Sequence, residues 1–353
     1  MANVRMTLAT GARVPHQSAE KVRRALSAQG LLSPSLEPLH EEGHVVFPLL
    51  GEFSFPGVET VQQDFPPRSS HPTSYTDLLE LEEPLRKKLP KSFDVIGEIV
   101  ALRLEPELLP HRAEIGEALR KFVPGVRVVA LDRGVHGKAR LRELEVIAGT
   151  PPLVTLYREN GITFKVNLET VYFSPRLARE HGRVAAQVQD GERILDLFCG
   201  FGPFALTSLR QHPKTTAVAV DANTQAIALL RENAARLKVE SRLEAYAEDA
   251  EDFLGRPALF DRVIMNLPRE GYKYLRSVGA HVKSSGRLHF YGLFHRDQRN
   301  LAATSVQAAL GPAEGSSPWS LEEERVVHPY SPSTLLMAFT LEKHGEIKNP
   351  RES

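Results

Sequence analysis

The stretch Ile194-Leu195-Asp196-Leu197-Phe198-Cys199-Gly200-Phe201-Gly202-Pro203-Phe204 constrains this chain more than any other. Branched apolar residues ending in an acid and then a glycine-spaced loop predict a buried parallel strand that turns directly into a helix. Gly200 and Gly202 lack the Cβ atoms that would hold a ligand away, and the following helix points its free N–H groups at it. About twenty residues later, Thr216-Ala217-Val218-Ala219-Val220-Asp221 predicts a second strand ending in an acid, placed for the two hydroxyls of a ribose. Asp249 after Leu243-Glu244-Ala245-Tyr246, and Asn266 after Val263-Ile264-Met265, extend the row to four strand ends along one crevice.

The glycine pair is weak evidence alone, because Pro203, Phe204 and Ala205 follow where the phosphate-binding fingerprint has its third glycine. A nucleoside-type ligand without a pyrophosphate fits the row best. This layout is similar to that of S-adenosylmethionine-dependent methyltransferases.

The sum of charges is zero, with 44 Lys/Arg and 44 Asp/Glu, which argues against a generally basic nucleic-acid coat. Between Pro84 and Arg183, however, 18 Lys/Arg face 12 Asp/Glu, and a mildly basic middle is compatible with a polyanionic substrate. Cys199 is the only cysteine, so an intramolecular disulfide and a zinc cluster of cysteines are excluded; its plain reading is a small buried hydrophobe. Without a long apolar run or the apolar core of a signal peptide, the expectation is a cytoplasmic protein off the membrane.

Along the chain, Val14 to Leu26 predicts a helix with Ala19, Val22, Ala25 and Leu26 on one face, stopped by Gly30, and Val45 to Leu49 a strand. Pro66, Pro67, Ser69, Ser70 and Pro72 mark a linker. Ser92 to Leu102 reads as one strand with a central glycine, and Ala113 to Phe122 as an amphipathic helix. Short extended runs follow at 127–131, 144–147, 153–157 and 162–166, with an Asn160-Gly161 turn between the last two. Ser174 as N-cap and Pro175 at the first position predict a helix carrying Arg176 and Glu180 on one face. Arg325–Val327 and Ser333–Leu341 would complete the sheet with an antiparallel edge.

Taken together, Tyr172-Phe173-Ser174-Pro175-Arg176-Leu177, Asp196 to Phe204 and Asn266-Leu267-Pro268 resemble the archaeal and eukaryal tRNA (guanine-37-N1)-methyltransferase family. The resemblance runs from about residue 90 to 341 and more loosely includes the N-terminal block. It implies an α/β fold: a Rossmann-like class I methyltransferase domain with a mostly parallel sheet at 169–343, an α/β RNA-positioning domain at 75–168 and a small tRNA-recognition-type domain at 1–66. A linker at 67–74 and a tail at 344–353 complete the division.

The same resemblance implies methyl transfer from S-adenosylmethionine to N1 of guanosine-37 of tRNA, by a monomer and without metal. Glu180 would be the general base, Arg140 the support for the guanine O6, with Arg142 as its substitute, and Asn266 and Tyr172 further catalytic positions. Cofactor contacts would come from His181, Asp196, Phe198, Gly200, Gly202, Asp221, Asn223, Asp249, Ala250, Asn266 and Pro268. His181 stands where a basic residue is common, and Cys199 where a small residue such as alanine is usual.

The chemistry leads to the same place: N1 of guanine is a poor nucleophile until a carboxylate removes its proton, and a guanidinium then steadies charge on O6. The bland alternatives are an exposed helix pair for Arg176 and Glu180, a solvated basic run for Arg140 within Lys138–Glu143, and a plain turn for Asn266. His289 and Tyr291, alternating on a strand, read as core. Competing functions are a wybutosine-pathway transferase that moves the aminocarboxypropyl group of the same cofactor or adds a methyl to a tricyclic guanosine intermediate, and a non-catalytic RNA-binding module.

Overall fold

The computed structural model describes residues 6–68, 72–137, 141–311 and 318–344. Two compact units divide the chain, Met1–Thr73 and Ser74–Ser353. No helix among the described residues is long and apolar enough to cross a membrane.

The first unit contains β1 (Thr7–Pro15), α1 (Ala19–Ala28), β2 (Leu39–Glu41), β3 (His44–Pro48) and β4 (Glu59–Phe65), with the sheet order β2-β3-β1-β4 and every pair antiparallel. Val22 and Leu26 of α1 pack on Ala12, Val14, Val45 and Phe47. The helix expected from Val14 thus starts five residues later. A 3-10 turn at His16–Ser18 separates it from β1, which Pro15 ends, and Val14 is a strand residue whose partner is Val45.

In the second unit α2 (Glu83–Arg86) leads to β5 (Asp94–Ile96), β6 (Ile99–Leu102), α3 (Arg112–Phe122), β7 (Val128–His136) and β8 (Leu141–Gly149). These strands form a sheet in the order β5-β6-β7-β8, and Ile115, Ala118 and Leu119 of α3 cover one face of it. The single strand expected over Ser92–Leu102 is a hairpin instead. Gly97 turns it at φ +55°, and a Cβ there would collide with Thr155 and the Leu156 carbonyl. A second hairpin, β9 (Val154–Glu159) and β10 (Ile162–Asn167), turns at Asn160 and Gly161, both at positive φ. Phe164 and Phe173 pack edge-on against Phe201, which ties this hairpin to the glycine loop.

The remaining strands are β11 (Arg193–Leu197), β12 (Thr216–Val220), β13 (Leu243–Tyr246), β14 (Phe260–Met265), β15 (Val282–His295), β16 (Trp319–Pro329) and β17 (Thr334–Lys343), in the order β13-β12-β11-β14-β15-β17-β16. The first five are parallel, while β17 runs antiparallel to both neighbours. Alternate side chains feed two cores. Ile194, Ala217, Ala219, Ile264 and Tyr291 meet α4 (Ala178–Gln187), α5 (Pro203–Gln211) and α6 (Thr224–Leu237). Leu195, Val218, Val263, Leu288 and Phe290 meet α7 (Ala250–Leu254), α8 (Leu275–Ala280) and α9 (Ala302–Leu310) on the other face. Strand order reverses between β11 and β14, so the carboxyl ends of these two open a crevice.

Candidate active site

Leu197 ends β11, and the chain enters α5 through three left-handed residues: Phe198 (φ +72°), Gly200 (+56°) and Gly202 (+84°). Phe198 pays a steric cost that glycine would avoid. It is held there because its own N–H and that of Cys199 both donate to the Val220 carbonyl, at 2.9 and 3.0 Å. Gly200 donates to Asp221 Oδ2 at 2.8 Å, and a Cβ on it would meet nothing within 4 Å, so the crevice is open above its backbone.

Asp196 is fully buried. Its Oδ2 accepts from the Ala205 N–H at 3.1 Å, while Oδ1 is buried with no partner. Burial, added to by the charge of Asp221, pushes its acid up to about 7. Asp221 is also shifted upward by burial, against backbone donors at Asn223 and Gly200. Each of its oxygens accepts one backbone N–H, which leaves a lone pair on each for ribose hydroxyls. Asn223 caps α6 and donates to Thr170 O at 2.8 Å. Asp249, exposed, caps α7, with Ala250 buried behind it.

One strand over, Asn266 follows β14, and its Oδ1 is likewise buried without a partner. The loop it opens is tied to β15 by Leu293 N donating to Pro268 O at 3.2 Å. Two orphaned oxygens at adjacent strand ends, beside an open glycine backbone, suit a ligand that brings amino or hydroxyl donors. These residues fit a nucleoside-containing cofactor.

Glu180 lies on the same face of the sheet. Met265 is in register with Phe290, so Asn266 and Tyr291 each stand one residue further along. The Tyr291 hydroxyl donates to Glu180 Oε2 at 3.0 Å, as does Arg183 Nε, while Arg325 Nη1 lies 3.3 Å from Oε1. Burial, and then the Glu180 charge, raise the Tyr291 hydroxyl well above its ordinary range, so it remains a donor. The Glu180 side chain is only 1% exposed.

Arg176 does not join it. Pro175–Leu177 form a 3-10 turn, Ser174 makes no side-chain cap, and α4 begins only at Ala178. The tighter turn rotates Arg176 off the Glu180 face, and it lies exposed, 3.5 Å from Asp94. Tyr172 is half-buried ahead of that turn. His181, expected at the cofactor, is buried with Nδ1 2.7 Å from Glu159 Oε1 and its ring edge-on to Phe204. That nitrogen is committed to a carboxylate and cannot also hold an anionic ligand group.

Arg140 falls outside the described residues. Its substitute Arg142 is buried between Asp94 at 3.0 Å and Asp132 at 3.4 Å, which is an internal ion-pair network. The sequence reading missed Arg183, Tyr291, Glu323 and Arg325. Only the His289/Tyr291 alternation hinted at a polar group on the inner face of β15.

Residues 155–307 match the family model described as the TRM5/TYW2 methyltransferase domain, residues 75–152 the TYW2 N-terminal domain and residues 11–54 the tRNA methyltransferase 5 N-terminal domain. A Pyrococcus abyssi protein named tRNA (guanine(37)-N(1))-methyltransferase Trm5b is 34% identical over 288 residues, 81% of this chain and 84% of that one. A Pyrococcus horikoshii tRNA(Phe) (4-demethylwyosine(37)-C(7)) aminocarboxypropyltransferase is 31% identical over 212 residues, 60% of this chain and 75% of its own length. A solved structure described as the complex of aTrm5 and tRNALeu aligns with a TM-score of 0.80 at 25% identity, covering 95% of this chain and 99% of that one.

Proposed function

From the premise that the chain belongs to the TRM5/TYW2 methyltransferase family, we propose that its four strand ends and the Glu180 carboxylate work as one site on a tRNA guanine. The protein is an S-adenosylmethionine-dependent tRNA (guanine-37-N1)-methyltransferase. When bound, S-adenosylmethionine supplies an electrophilic methyl group on a sulfonium.

Asp221 and Asp249 hold the nucleoside end of the cofactor, and Asp196 and Asn266 direct their free oxygens at its donors. Glu180 takes the N1 proton of guanine, which leaves the N1 lone pair for the methyl carbon. Arg140 steadies the charge that this places on O6. Positioning supplies much of the rest of the acceleration. What supports Glu180 as base is its burial against Tyr291 of β15, the strand beside the one that Asn266 follows.

The match of residues 75–152 to the TYW2 N-terminal domain favours aminocarboxypropyl transfer as the one reading to test against methyl transfer. The assay uses a tRNA transcript with cofactor labelled either in the methyl group or in the carboxyl carbon, followed by digestion and mass spectrometry of residue 37. Methyl label on N1 of guanosine-37 is the expected result. Transfer of the carboxyl label, or methylation elsewhere, would overturn the assignment.

A further inference from the structure

Both oxygens of Glu180 carry a guanidinium, which opposes the proton uptake required of a base. Oε2 has two donors at 3.0 Å, one from its own helix and one from β15. Oε1 has a single longer contact, 3.3 Å to Arg325 Nη1 on β16. If either oxygen is to turn toward an incoming N–H, Oε1 is the one held least.

A second acceptor for Arg325 stands beside it. The same Nη1 is 3.9 Å from Glu323 Oε1. Glu323 is itself fixed, because its Oε2 accepts from Arg183 Nη1 at 2.7 Å and from Gln187 Nε2 at 3.4 Å. Two acids and two guanidiniums therefore form one closed set, with Arg183 bridging both acids. Passing Arg325 from one carboxylate to the other leaves the charge of the set unchanged, so no charge is left unpaired.

The set also grades outward. Glu180 is 1% exposed, Arg325 32% and Glu323 37%. Arg183 and Arg325 line an open cleft with Arg179 and Gln211, which gives the Arg325 side chain room to turn. His289, two residues before Tyr291 on the same face, adds no charge, because burial and the Arg262 guanidinium push its pKa well down and keep it neutral.

We infer that Arg325 has two carboxylate positions, Glu180 before the substrate base enters and Glu323 while it reacts, and that Glu323 is the positioning residue that draws it across. Glu180 Oε1 is then free to take the N1 proton and become a neutral acid, while Arg183 and Tyr291 keep Oε2 in place. The inference rests on Glu180 being the base.

The test measures single-turnover methyl transfer to a tRNA transcript across pH, with cofactor affinity measured in parallel. Glu323→Gln leaves Arg325 only Glu180 to bind. Its plateau rate falls roughly ten- to a hundredfold, the effect of one charge-assisted hydrogen bond. Arg325→Met leaves Glu180 Oε1 clear with no need of a second acceptor, so adding it to Glu323→Gln restores the plateau rate. Both residues are partly exposed, so the variants fold, and unchanged cofactor affinity verifies it.

A slow Glu323→Gln whose plateau rate returns when Arg325→Met is added supports the inference, since loss of a merely structural ion pair is not undone by removing its second member. A double variant as slow as Glu323→Gln, or a Glu323→Gln as fast as wild type, with Glu180→Gln slow, overturns the inference and leaves the base assignment standing. Glu180→Gln as fast as wild type removes the base assignment and this inference with it.

Discussion

Asp196→Asn should make the cofactor-free protein more stable at pH 8 and less able to bind its cofactor. Burial raises the Asp196 acid from an ordinary 3.8 to about 7. At 1.36 kcal/mol per tenfold change, holding it ionised in the folded protein costs about 4 kcal/mol above pH 7. Asparagine has no charge to desolvate and can still accept from Ala205 N–H through its Oδ1. Its amide would occupy the place of the orphaned Oδ1, where an unpaired donor costs about 1–3 kcal/mol. The difference leaves roughly 1–3 kcal/mol of stabilisation at pH 8, or a rise in Tm of about 2–6 °C for a unit of this size.

The sign against pH follows from the direction of the shift. The folded state binds the Asp196 proton more tightly than the unfolded chain does, so wild-type stability is greatest below the unfolded value and falls as pH rises toward 7. The advantage of the variant therefore shrinks steadily from pH 7 to pH 4. Thermal melts of both proteins at pH 8, 6.5 and 5, without cofactor, measure it. A difference in Tm that does not change with pH, or a variant less stable at pH 8, would refute the reasoning. Adding S-adenosylmethionine should raise the wild-type Tm more than that of the variant, because a ligand donor on Oδ1 stabilises the ionised form.

Three further substitutions separate structural cations from functional ones. Arg262 is fully buried and held by Glu192 at 2.7 and 2.9 Å; Glu192→Gln should cost about 3–5 kcal/mol by leaving that guanidinium short of a counter-charge, read as a lowered denaturation midpoint. Arg142→Ala should likewise lower the midpoint, since Asp94 and Asp132 lose their shared cation, whereas Arg140→Ala should slow single-turnover methyl transfer by about 10²-fold at unchanged cofactor affinity. A slow but fully stable Arg142→Ala would reverse those two assignments.

What could be read from the chain was what the chain writes locally. The β11 stretch, its glycine loop and the acids at Asp221 and Asp249 are short-range patterns, and each lies at the end of a parallel strand. The Asn160-Gly161 turn was legible for the same reason, because both residues accept positive φ. Gly97 shows where local reading fails. Its flanking residues suit a strand, and only contact with Thr155 and Leu156, far along the chain, shows that the glycine is a corner. The clamp on Glu180 is less legible still. Tyr291 and Arg325 arrive from β15 and β16, and nothing within a helical turn of Glu180 announces either of them.

The features that sequence rules handle badly are gathered at one edge of one sheet. Phe198 occupies a glycine conformation, Asp196 is ionisable and buried, and Asp196 and Asn266 each keep an oxygen without a donor. Any one of them is unfavourable in the protein alone, and none improves the packing of the core. Strain and unpaired polar groups persist where a ligand removes the penalty on binding. The cofactor crevice should therefore be the region whose local stability rises most when S-adenosylmethionine binds. Amide exchange at Phe198, Cys199 and Gly200 should slow more than exchange in the Arg262 and Glu192 region at the far end of the same strands. Equal protection at both ends would mean that the strand-end oxygens are satisfied by something other than the cofactor.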